Sequence, residues 1–277
     1  MARTDWRWDP SLYRGSAAYY CRGRVAYPAE PAALLAAALR LDGTGRLLDV
    51  GCGPGSLTLL LAPLFGEAVG VDADPDMVVE ARRRATEAGL RNVRCLHLRA
   101  EQLPSDLYGC RLVTFAQSFH WMDRPRVAAV VHDMLTADGA CVHVHATTHQ
   151  GVGTTETLPH PRPPRSSITT LVRAYLGSTR RAGQSFLPDG TPKDETGIYR
   201  AAGFTGPRRL TIPGRTVVRT SDDIVASVYS LSSSAPHLFG GRRADFETDL
   251  RRVLHETSPD NLFSERMREI AVDIWHP

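Results

Sequence analysis

Apolar runs alternate with amphipathic segments from residue 46 to about residue 149, and this alternation is the clearest pattern in the chain. Strands that alternate with helices predict a parallel sheet whose crossover connections are right-handed. Asp74 is a suitable N-cap for one of these helices, and the turn at 136–139 closes another. The predicted strands are 47–50, 68–72, 93–98, 110–116 and 140–146, and the predicted helices between them are 56–64, 75–88 and 125–135.

The segments on either side of this region have weaker patterns. Residues 1–28 are rich in aromatic and basic side chains without a clear period, and residues 29–41 predict a helix with Pro31 near its start. A stretch rich in Pro and Gly at 150–167 predicts a loop. Periodicity does not decide between strand and helix for 267–275. The other predicted elements are helices at 168–181, 196–202, 221–231 and 243–255 and a strand near 204–212.

Composition and charge narrow the classes of protein. The 277 residues are 42% hydrophobic and 23% charged, as in globular chains, and a net charge of +3 is too small to argue for a nucleic-acid groove. Lys193 is the only lysine, and its turn-rich surroundings suit neither a Schiff-base lysine nor a P-loop lysine. The five cysteines are widely spaced, so we expect neither a disulfide framework nor a zinc site.

The sequence lacks signals for export or membrane insertion. Its first residues have no apolar signal-peptide core, and the longest apolar run, 32–39, is much shorter than the ~20 residues that cross a bilayer. We therefore expect a cytoplasmic protein with no membrane partner and no nucleic-acid partner. The sequence leaves the oligomeric state open.

A glycine-rich turn, Asp49-Val50-Gly51-Cys52-Gly53-Pro54-Gly55, lies between a predicted strand and a predicted helix. The next strand ends in Asp72, where an acid can accept hydrogen bonds from both ribose hydroxyls of a nucleoside. The glycines follow G-x-G-x-G, and Pro54 removes an N–H group that a pyrophosphate would use. Asp49 adds negative charge, which repels phosphate and suits a cation. This pattern favours a nucleoside with a positive centre over a dinucleotide.

The turn resembles the first motif of class I S-adenosylmethionine-dependent methyltransferases. Residues 69–72 resemble their second motif, 72–77 resemble the segment that holds ribose and adenine, and 100–104 resemble their third motif. The resemblance covers roughly residues 45–146. It implies a Rossmann-like α/β fold with a seven-stranded sheet, helices on both faces, an N-terminal lid and a C-terminal helical insertion. Within a single structural domain, the expected parts are the lid and first helix (1–44), the cofactor-binding core (45–149) and the rest of the sheet with an acceptor-binding cap (150–277).

The same resemblance implies S-adenosylmethionine as the cofactor and assigns its contacts. Asp72 would hold the ribose, and Ala73 and Met77 would pack on adenine. Relatives often have an Asp where this chain has Arg99, so Glu101 is expected to take over the contact with the adenine amine. The predicted cofactor-binding residues are Tyr20, Arg24, Asp49, Gly51, Gly53, Asp72, Ala73, Met77, Ala100, Glu101, Gln117 and Ser118. Among these, Tyr20 would contact the sulfonium, Arg24 would pair with the cofactor carboxylate, and Gln117 and Ser118 would border the methionine part. For Tyr20 and Arg24 the alternative is ordinary surface packing.

Gln117-Ser118-Phe119-His120-Trp121 follows the fourth strand and resembles a small-molecule branch of the family, the type 11 group, which includes enzymes similar to trans-aconitate methyltransferase. His120 is the predicted catalytic base, because neutral imidazole accepts protons near pH 7; the alternative is that it only orients the loop. Trp121, His145 and His149 are expected to line the acceptor pocket. With His143, the last two form a set of three histidines, but no carboxylate or Cys lies among them, and we predict no metal.

We therefore expect a methyltransferase that acts by in-line displacement on a small organic metabolite, in secondary metabolism. Apolar side chains in the C-terminal part favour such an acceptor; they are Phe186, Tyr229, Leu238 and Phe239. One alternative keeps the fold and the cofactor but catalyses a reaction without methyl transfer, such as cyclisation or decarboxylation. Another alternative is a nucleotide-binding module or an NAD enzyme.

Overall fold

A seven-stranded mixed sheet dominates the computed structural model, which describes residues 9–178, 181–182, 185–186 and 195–277. Its strands are β1 (Arg46–Val50), β2 (Glu67–Asp72), β3 (Val93–His97), β4 (Cys110–Ala116), β5 (Leu135–His145), β8 (Thr205–Ile212) and β11 (Ile270–His276). Their order is β3-β2-β1-β4-β5-β11-β8. The first five strands are parallel, and β11 runs antiparallel between β5 and β8. The predicted α/β fold is confirmed.

Helices cover both faces of this sheet and form a cap. They are α1 (Ala17–Gly23), α2 (Glu30–Leu39), α3 (Ser56–Leu61), α4 (Pro75–Glu87), α5 (Arg124–Met134), α6 (Arg165–Leu176), α7 (Glu195–Ala201), α8 (Ser221–Tyr229) and α9 (Arg243–Thr257). Two small ladders complete the described elements: β9 (Thr216–Thr220) with β10 (Leu262–Arg266), and β6 (Arg181–Ala182) with β7 (Ser185–Phe186). None of these helices is both long and apolar enough to span a membrane.

The sheet is buried on both faces because successive strand residues point to opposite sides. Leu48 belongs to one apolar cluster with Val131 of α5 and Tyr199 of α7, whereas its neighbour Leu47 belongs to a second cluster with Leu61 of α3. This double burial explains why the strands read as continuous apolar runs in the sequence. Because β1 to β5 are parallel, their carboxyl ends share one edge of the sheet.

The cap has an apolar core of its own, formed by α6, α8, α9 and the turn before α9. Tyr229 and Phe239 are almost fully buried in that core, beside Phe246 and Leu250. The rings of Tyr229 and Phe239 pack edge to face within this core, so these two residues belong to the interior of the cap. The side chain of Phe186, and Lys193, lie outside the described residues.

Helix α1 is attached to the cap by close backbone packing. A Cβ added to Gly23 would lie 2.4 Å from the carbonyl oxygen of Ala226 in α8, so only glycine allows this approach. Arg219 donates to the Gly23 carbonyl at 2.8 Å, and the N–H of Val25 donates to Thr148 beyond β5 at 2.8 Å. These contacts hold the N-terminal segment across the edge of the sheet.

Most predicted elements are found within a few residues of their expected bounds, and Asp74 caps α4 by accepting from the N–H groups of Asp76 and Met77. The segment 267–275 is strand β11. Two boundaries were wrong. Helix α6 ends before Gly177, whose φ of 83° stops it, and not at residue 181. Strand β5 begins at Leu135 and not at residue 140, because the turn predicted at 136–139 is an irregularity within the strand. Strands β9 and β10 were not predicted.

A buried ion cluster joins the cap to the segment after β5. Glu265 is 3% exposed and lies between Arg219, 3.1 Å away and 4% exposed, and Arg165, 2.8 Å away. Both arginines also donate to the carbonyl oxygen of His149. Burial raises the pKa of Glu265, but the two arginines outweigh it and the net pKa is lowered.

We expect Glu265→Gln to lower the free energy of unfolding by about 3 kcal/mol, because it leaves the buried Arg219 without its counter-ion. Glu67→Gln is the matched control, since Glu67 also pairs with two arginines, Arg46 and Arg94, but is 29% exposed. Its loss should stay below about 1 kcal/mol. Urea denaturation measures both, and equal losses would contradict the prediction.

Candidate active site

A cleft of about 640 Å³ of empty space lies at the carboxyl ends of β1, β2 and β4. Strand order reverses at β1, since its neighbours are β2 and β4, and such switch points are where open α/β sheets bind ligands. Ten of the twelve predicted cofactor residues line this cleft: Tyr20, Gly51, Gly53, Asp72, Ala73, Met77, Ala100, Glu101, Gln117 and Ser118. Trp121 lines it too. The cleft thus brings together most of the predicted cofactor-binding residues, and their contacts with a cofactor stay a prediction.

The glycine-rich turn shapes the floor of the cleft in two ways. Gly51 has a φ of 71°, and a Cβ there would lie 2.4 Å from Cβ of Ser118, so the turn and the residues after β4 pack without a side chain between them. Gly53 has a φ of 54°, and a Cβ there would meet nothing within 4 Å. Gly53 thus leaves space for a ligand to approach the backbone.

Asp72 connects the turn to the second strand. Its carboxylate accepts hydrogen bonds from the N–H groups of Gly53 at 2.7 Å and Asp74 at 2.8 Å. Burial raises the pKa of Asp72 to about 6, although these two N–H groups oppose the rise. The carboxylate is therefore mostly ionised at pH 7, is fixed in orientation and retains lone pairs for ligand hydroxyls.

Asp49 lies beneath the turn and is 1% exposed. Its two oxygens accept hydrogen bonds from the hydroxyls of Thr58 at 2.6 Å and Thr114 at 2.7 Å. Burial raises the pKa of Asp49. The side chain holds β1, α3 and β4 together, and it also borders a second cavity that joins the cleft at Tyr20 and Gly53.

Arg24 borders the same second cavity, but its guanidinium already has partners. Nε donates to the hydroxyl of Ser230 at 2.8 Å, Nη2 donates to the Ser230 carbonyl at 2.9 Å, and the group lies 4.6 Å from the centre of the Tyr20 ring. These contacts attach the N-terminal segment to the end of α8. The pairing of Arg24 with a cofactor carboxylate stays a prediction.

The other end of the cleft is mainly apolar. Met77 is 2% exposed and Ala100 is 7% exposed, and Leu98, which was not predicted, also lines this end. Glu101 lines it as well, but one of its oxygens accepts from the N–H of Asp123 at 2.9 Å. Burial raises the pKa of Glu101. Its contact with an adenine amine stays a prediction for the remaining oxygen.

The residues after β4 form a tight corner beside the glycine turn. Gln117 has a φ of 57°, and its side-chain amide lies 3.4 Å from the carbonyl oxygen of Val144 in β5. Ser118 is buried and donates to the Val50 carbonyl at 2.6 Å. Ser118 therefore fixes the end of β1, whereas Gln117 connects the cleft to β5.

Aromatic side chains form one wall of the cleft. The rings of Tyr13 and Trp121 meet edge to face with centres 5.7 Å apart, and both line the cleft together with Tyr20. Burial raises the pKa of Tyr13. Tyr13 was missed as a site residue, although the aromatic composition of residues 1–28 was the available signal.

His120 packs against Trp121, with ring centres 4.8 Å apart, and it lies outside the set that lines the cleft. Burial, and then the nearby Arg124, lower the pKa of His120 to about 4. The imidazole is therefore neutral at pH 7 and a weak proton acceptor. This favours the orienting alternative, and catalysis by His120 stays a prediction.

The other three histidines do not converge. The rings of His143 and His145 stack at 4.3 Å, and burial lowers the pKa of His143 to about 3. His145 bonds to Asp273 at 3.0 Å, whereas the carbonyl of His149 joins the ion cluster of Glu265. Among the described residues, no group of three or more His, Cys, Asp or Glu is arranged to hold a metal ion. Neither His145 nor His149 lines the cleft or the second cavity.

A family model matches the centre of the chain. Residues 47–139 match the model described as "Methyltransferase domain". The resemblance of the glycine turn and Asp72 to methyltransferase motifs is thus confirmed for this segment, which holds most of the cleft.

Curated relatives of the methyltransferase domain cover only part of the chain. An uncharacterized methyltransferase of Mycobacterium tuberculosis (strain H37Rv) is 36% identical over 149 residues, which are 53% of this chain and 57% of the relative. A trans-aconitate 2-methyltransferase of Rhodococcus jostii is 41% identical over 91 residues, 31% of this chain and 32% of that enzyme. The first alignment thus spans little more than half the length of the relative.

Solved structures match over nearly the full length. A SAM-dependent methyltransferase from Geobacter sulfurreducens, in complex with S-adenosyl-L-homocysteine, has a TM-score of 0.53 and 15% identity and covers 97% of this chain and 98% of its own. The YcgJ protein from Bacillus subtilis has a TM-score of 0.52 and 18% identity, with 89% and 98% coverage. At these identities the likeness establishes the methyltransferase fold alone.

We expect the imidazole of His120 to stay neutral until the pH falls to about 4, because folding lowers its pKa from the usual 6.5. The unfolded chain therefore takes up this proton at a higher pH than the folded protein does. As a result, the free energy of unfolding falls as the pH drops from about 6.5 to 4. NMR titration of the histidine ring signals in the free protein measures the midpoint. A midpoint at or above 6.5 would contradict the burial of His120.

Proposed function

We propose that the protein is an S-adenosylmethionine-dependent methyltransferase that acts on a small organic acceptor. The hydrogen bond from the Gly53 N–H to the Asp72 carboxylate carries this proposal. This bond joins the glycine-rich turn to the end of β2 at the strand switch point. It fixes the carboxylate of Asp72 beside the backbone of Gly53, which a ligand can approach. A nucleoside ribose needs both features.

The residues of the cleft fit this cofactor part by part. Met77, Leu98 and Ala100 offer an apolar slot for adenine, and Asp72 offers acceptor oxygens for the ribose hydroxyls. The space above Gly53 continues into the second cavity, where Asp49 provides negative charge near the amino-acid part. An anion-binding pyrophosphate turn would instead need the N–H that Pro54 lacks.

The protein's own residues position the reactants and exclude water. When bound, S-adenosylmethionine supplies a methyl group on a sulfonium, which is transferred by in-line displacement. Tyr13, Tyr20 and Trp121 cover the cleft with aromatic surface, which removes water from the reacting atoms. His120 is neutral and orients the loop that carries Trp121.

The surroundings of the cleft favour a small acceptor molecule, and the cysteines favour a reducing compartment. Tyr13 and Tyr20 of the N-terminal segment line the cleft together with residues that follow the strands, which leaves room for a compact ligand. The net charge of +3 provides no basic groove for a nucleic acid. All five cysteines are free thiols, which is typical of a cytoplasmic protein.

We expect the protein to bind S-adenosylhomocysteine and not NAD in isothermal titration calorimetry. Asp72→Asn should weaken this binding by about 10- to 100-fold, since a hydrogen bond to a charged group contributes roughly 1.5–3 kcal/mol. Asp76→Asn is the matched control: this exposed acid lies four residues away and outside the cleft. Binding of NAD alone, or unchanged affinity in Asp72→Asn, would reject the assignment.

We expect the affinity for S-adenosylhomocysteine to fall as the pH is lowered through about 6. The raised pKa of Asp72 means that its carboxylate takes up a proton in this range and loses acceptor capacity toward the ribose. Calorimetry between pH 7.5 and roughly 5 measures how steeply the affinity depends on pH. Glu and Lys side chains of ordinary pKa change their protonation little in this range. Asp72→Asn should remove the slope, and a slope that survives would exclude Asp72 as its source.

A further inference from the structure

Three side chains form a hydrogen-bonded row across neighbouring strands of the sheet. Arg209 of β8 donates to both carboxylate oxygens of Asp273 in β11, at 2.6 Å each. The same carboxylate lies 3.0 Å from Nε2 of His145 in β5. Asp273 is 7% exposed, whereas His145 is 37% exposed. A buried acid thus holds an imidazole that remains open to solvent on one side.

The strand register places His145 beside the cleft. Strands β4 and β5 are parallel, and Ala116 pairs with Val144 at the end of the ladder. Gln117 and His145 are the residues that directly follow this last pair of the ladder. Gln117 lines the cleft, and its amide reaches the Val144 carbonyl. A molecule that lies over the ends of β4 and β5 would therefore meet both the cleft and His145.

The row fixes which nitrogen of His145 carries hydrogen. Nε2 faces the Asp273 carboxylate, so it is the donor, and Nδ1 keeps a free lone pair. Burial raises the pKa of Asp273, but the bonds from Arg209 and then His145 outweigh this and lower it, so the acid stays ionised. His143 stacks on the ring of His145, and beyond it lie His120 and Arg124. Tyr199, whose hydroxyl is 3.4 Å from Nδ1 of His143, and Glu269, near Arg209, are the other titratable side chains that act on the row among the described residues.

We propose that His145 is the general base of the reaction, that Asp273 and Arg209 are its positioning residues, and that the acceptor is a hydroxyl or amine compound. This inference rests on the proposed methyl transfer. The O–H or N–H bond of the acceptor breaks, its electron pair stays on the acceptor atom, and the proton binds Nδ1 of His145. The exposed edge of the imidazole then returns the proton to solvent.

Hydroxyl and amine acceptors differ chemically from the carboxylate compound, trans-aconitate, in the names of some relatives. An ionised carboxylate attacks without losing a proton, so an enzyme for such an acceptor needs no base. A hydroxyl or protonated amine does need one. His120 and His143 are poor proton acceptors, because burial lowers their pKa values to about 4 and 3. His145, by contrast, is 37% exposed and is oriented by the buried Asp273.

The first test needs neither cofactor nor acceptor. Long-range ¹H–¹⁵N correlation spectra of the free protein, assigned with His145→Gln, report which ring nitrogen carries hydrogen. We expect the Nε2–H tautomer for His145 and loss of that preference in Asp273→Asn, since the amide replaces one acceptor oxygen with an N–H donor while Arg209 still needs an acceptor. An Nδ1–H tautomer in the wild type, or a tautomer unchanged in Asp273→Asn, would overturn the inference even if S-adenosylhomocysteine binds.

The second test uses catalysis. Acceptors are found by incubating the protein with S-adenosylmethionine and separate hydroxyl, amine and carboxylate compound pools, and trans-aconitate is the carboxylate probe. For a hydroxyl or amine acceptor, His145→Gln should lower kcat about 100-fold or more with little change in KM, and the loss should lessen at high pH. Transfer to trans-aconitate that persists in His145→Gln would overturn the inference. S-adenosylhomocysteine binding, measured separately, distinguishes this outcome from failure of the proposed function.

Discussion

The buried carboxylate of Asp49 is the interaction on which the cleft depends. Through the hydroxyls of Thr58 and Thr114 it connects three elements that meet beneath the glycine turn. If these elements shifted apart, the Gly53 N–H would move away from Asp72 and the fixed acid would be lost. Hydrogen bonds rather than a cation stabilise this carboxylate, so the free-energy cost of burying it depends on two neutral hydroxyl donors.

The parts of the site that were predictable are close together in sequence. The turn at Gly51 and Gly53, the acid at Asp72 and the apolar contact at Met77 all follow from one strand–turn–helix unit and the strand after it. Local spacing determines where such groups lie, because parallel strands end at a common edge. The same reasoning predicts Gln117 and Trp121 at this edge, since both follow the fourth strand.

The parts that were not predictable depend on distant pairing. His145 and Asp273 are 128 residues apart, and only the antiparallel insertion of β11 brings them together. Tyr13 reaches the cleft because the helix after it, α1, packs on α8, and local spacing does not reveal a contact between segments so far apart. Tyr229 shows a related limit: the sequence does not tell whether an aromatic residue of the cap lines a pocket or packs in the core, and here it packs in the core.

Strand β11 also has a consequence for the order in which the molecule assembles. Strand β8 joins the main sheet through β11, so it can dock only after a partner some 60 residues further along the chain has added to β5. Contacts of such long separation carry a large loop-closure cost and form late. The glycine turn, by contrast, closes among neighbours. The Gly53–Asp72 hydrogen bond, which joins residues 19 apart, can therefore form before the His145–Asp273 bond, which joins residues 128 apart.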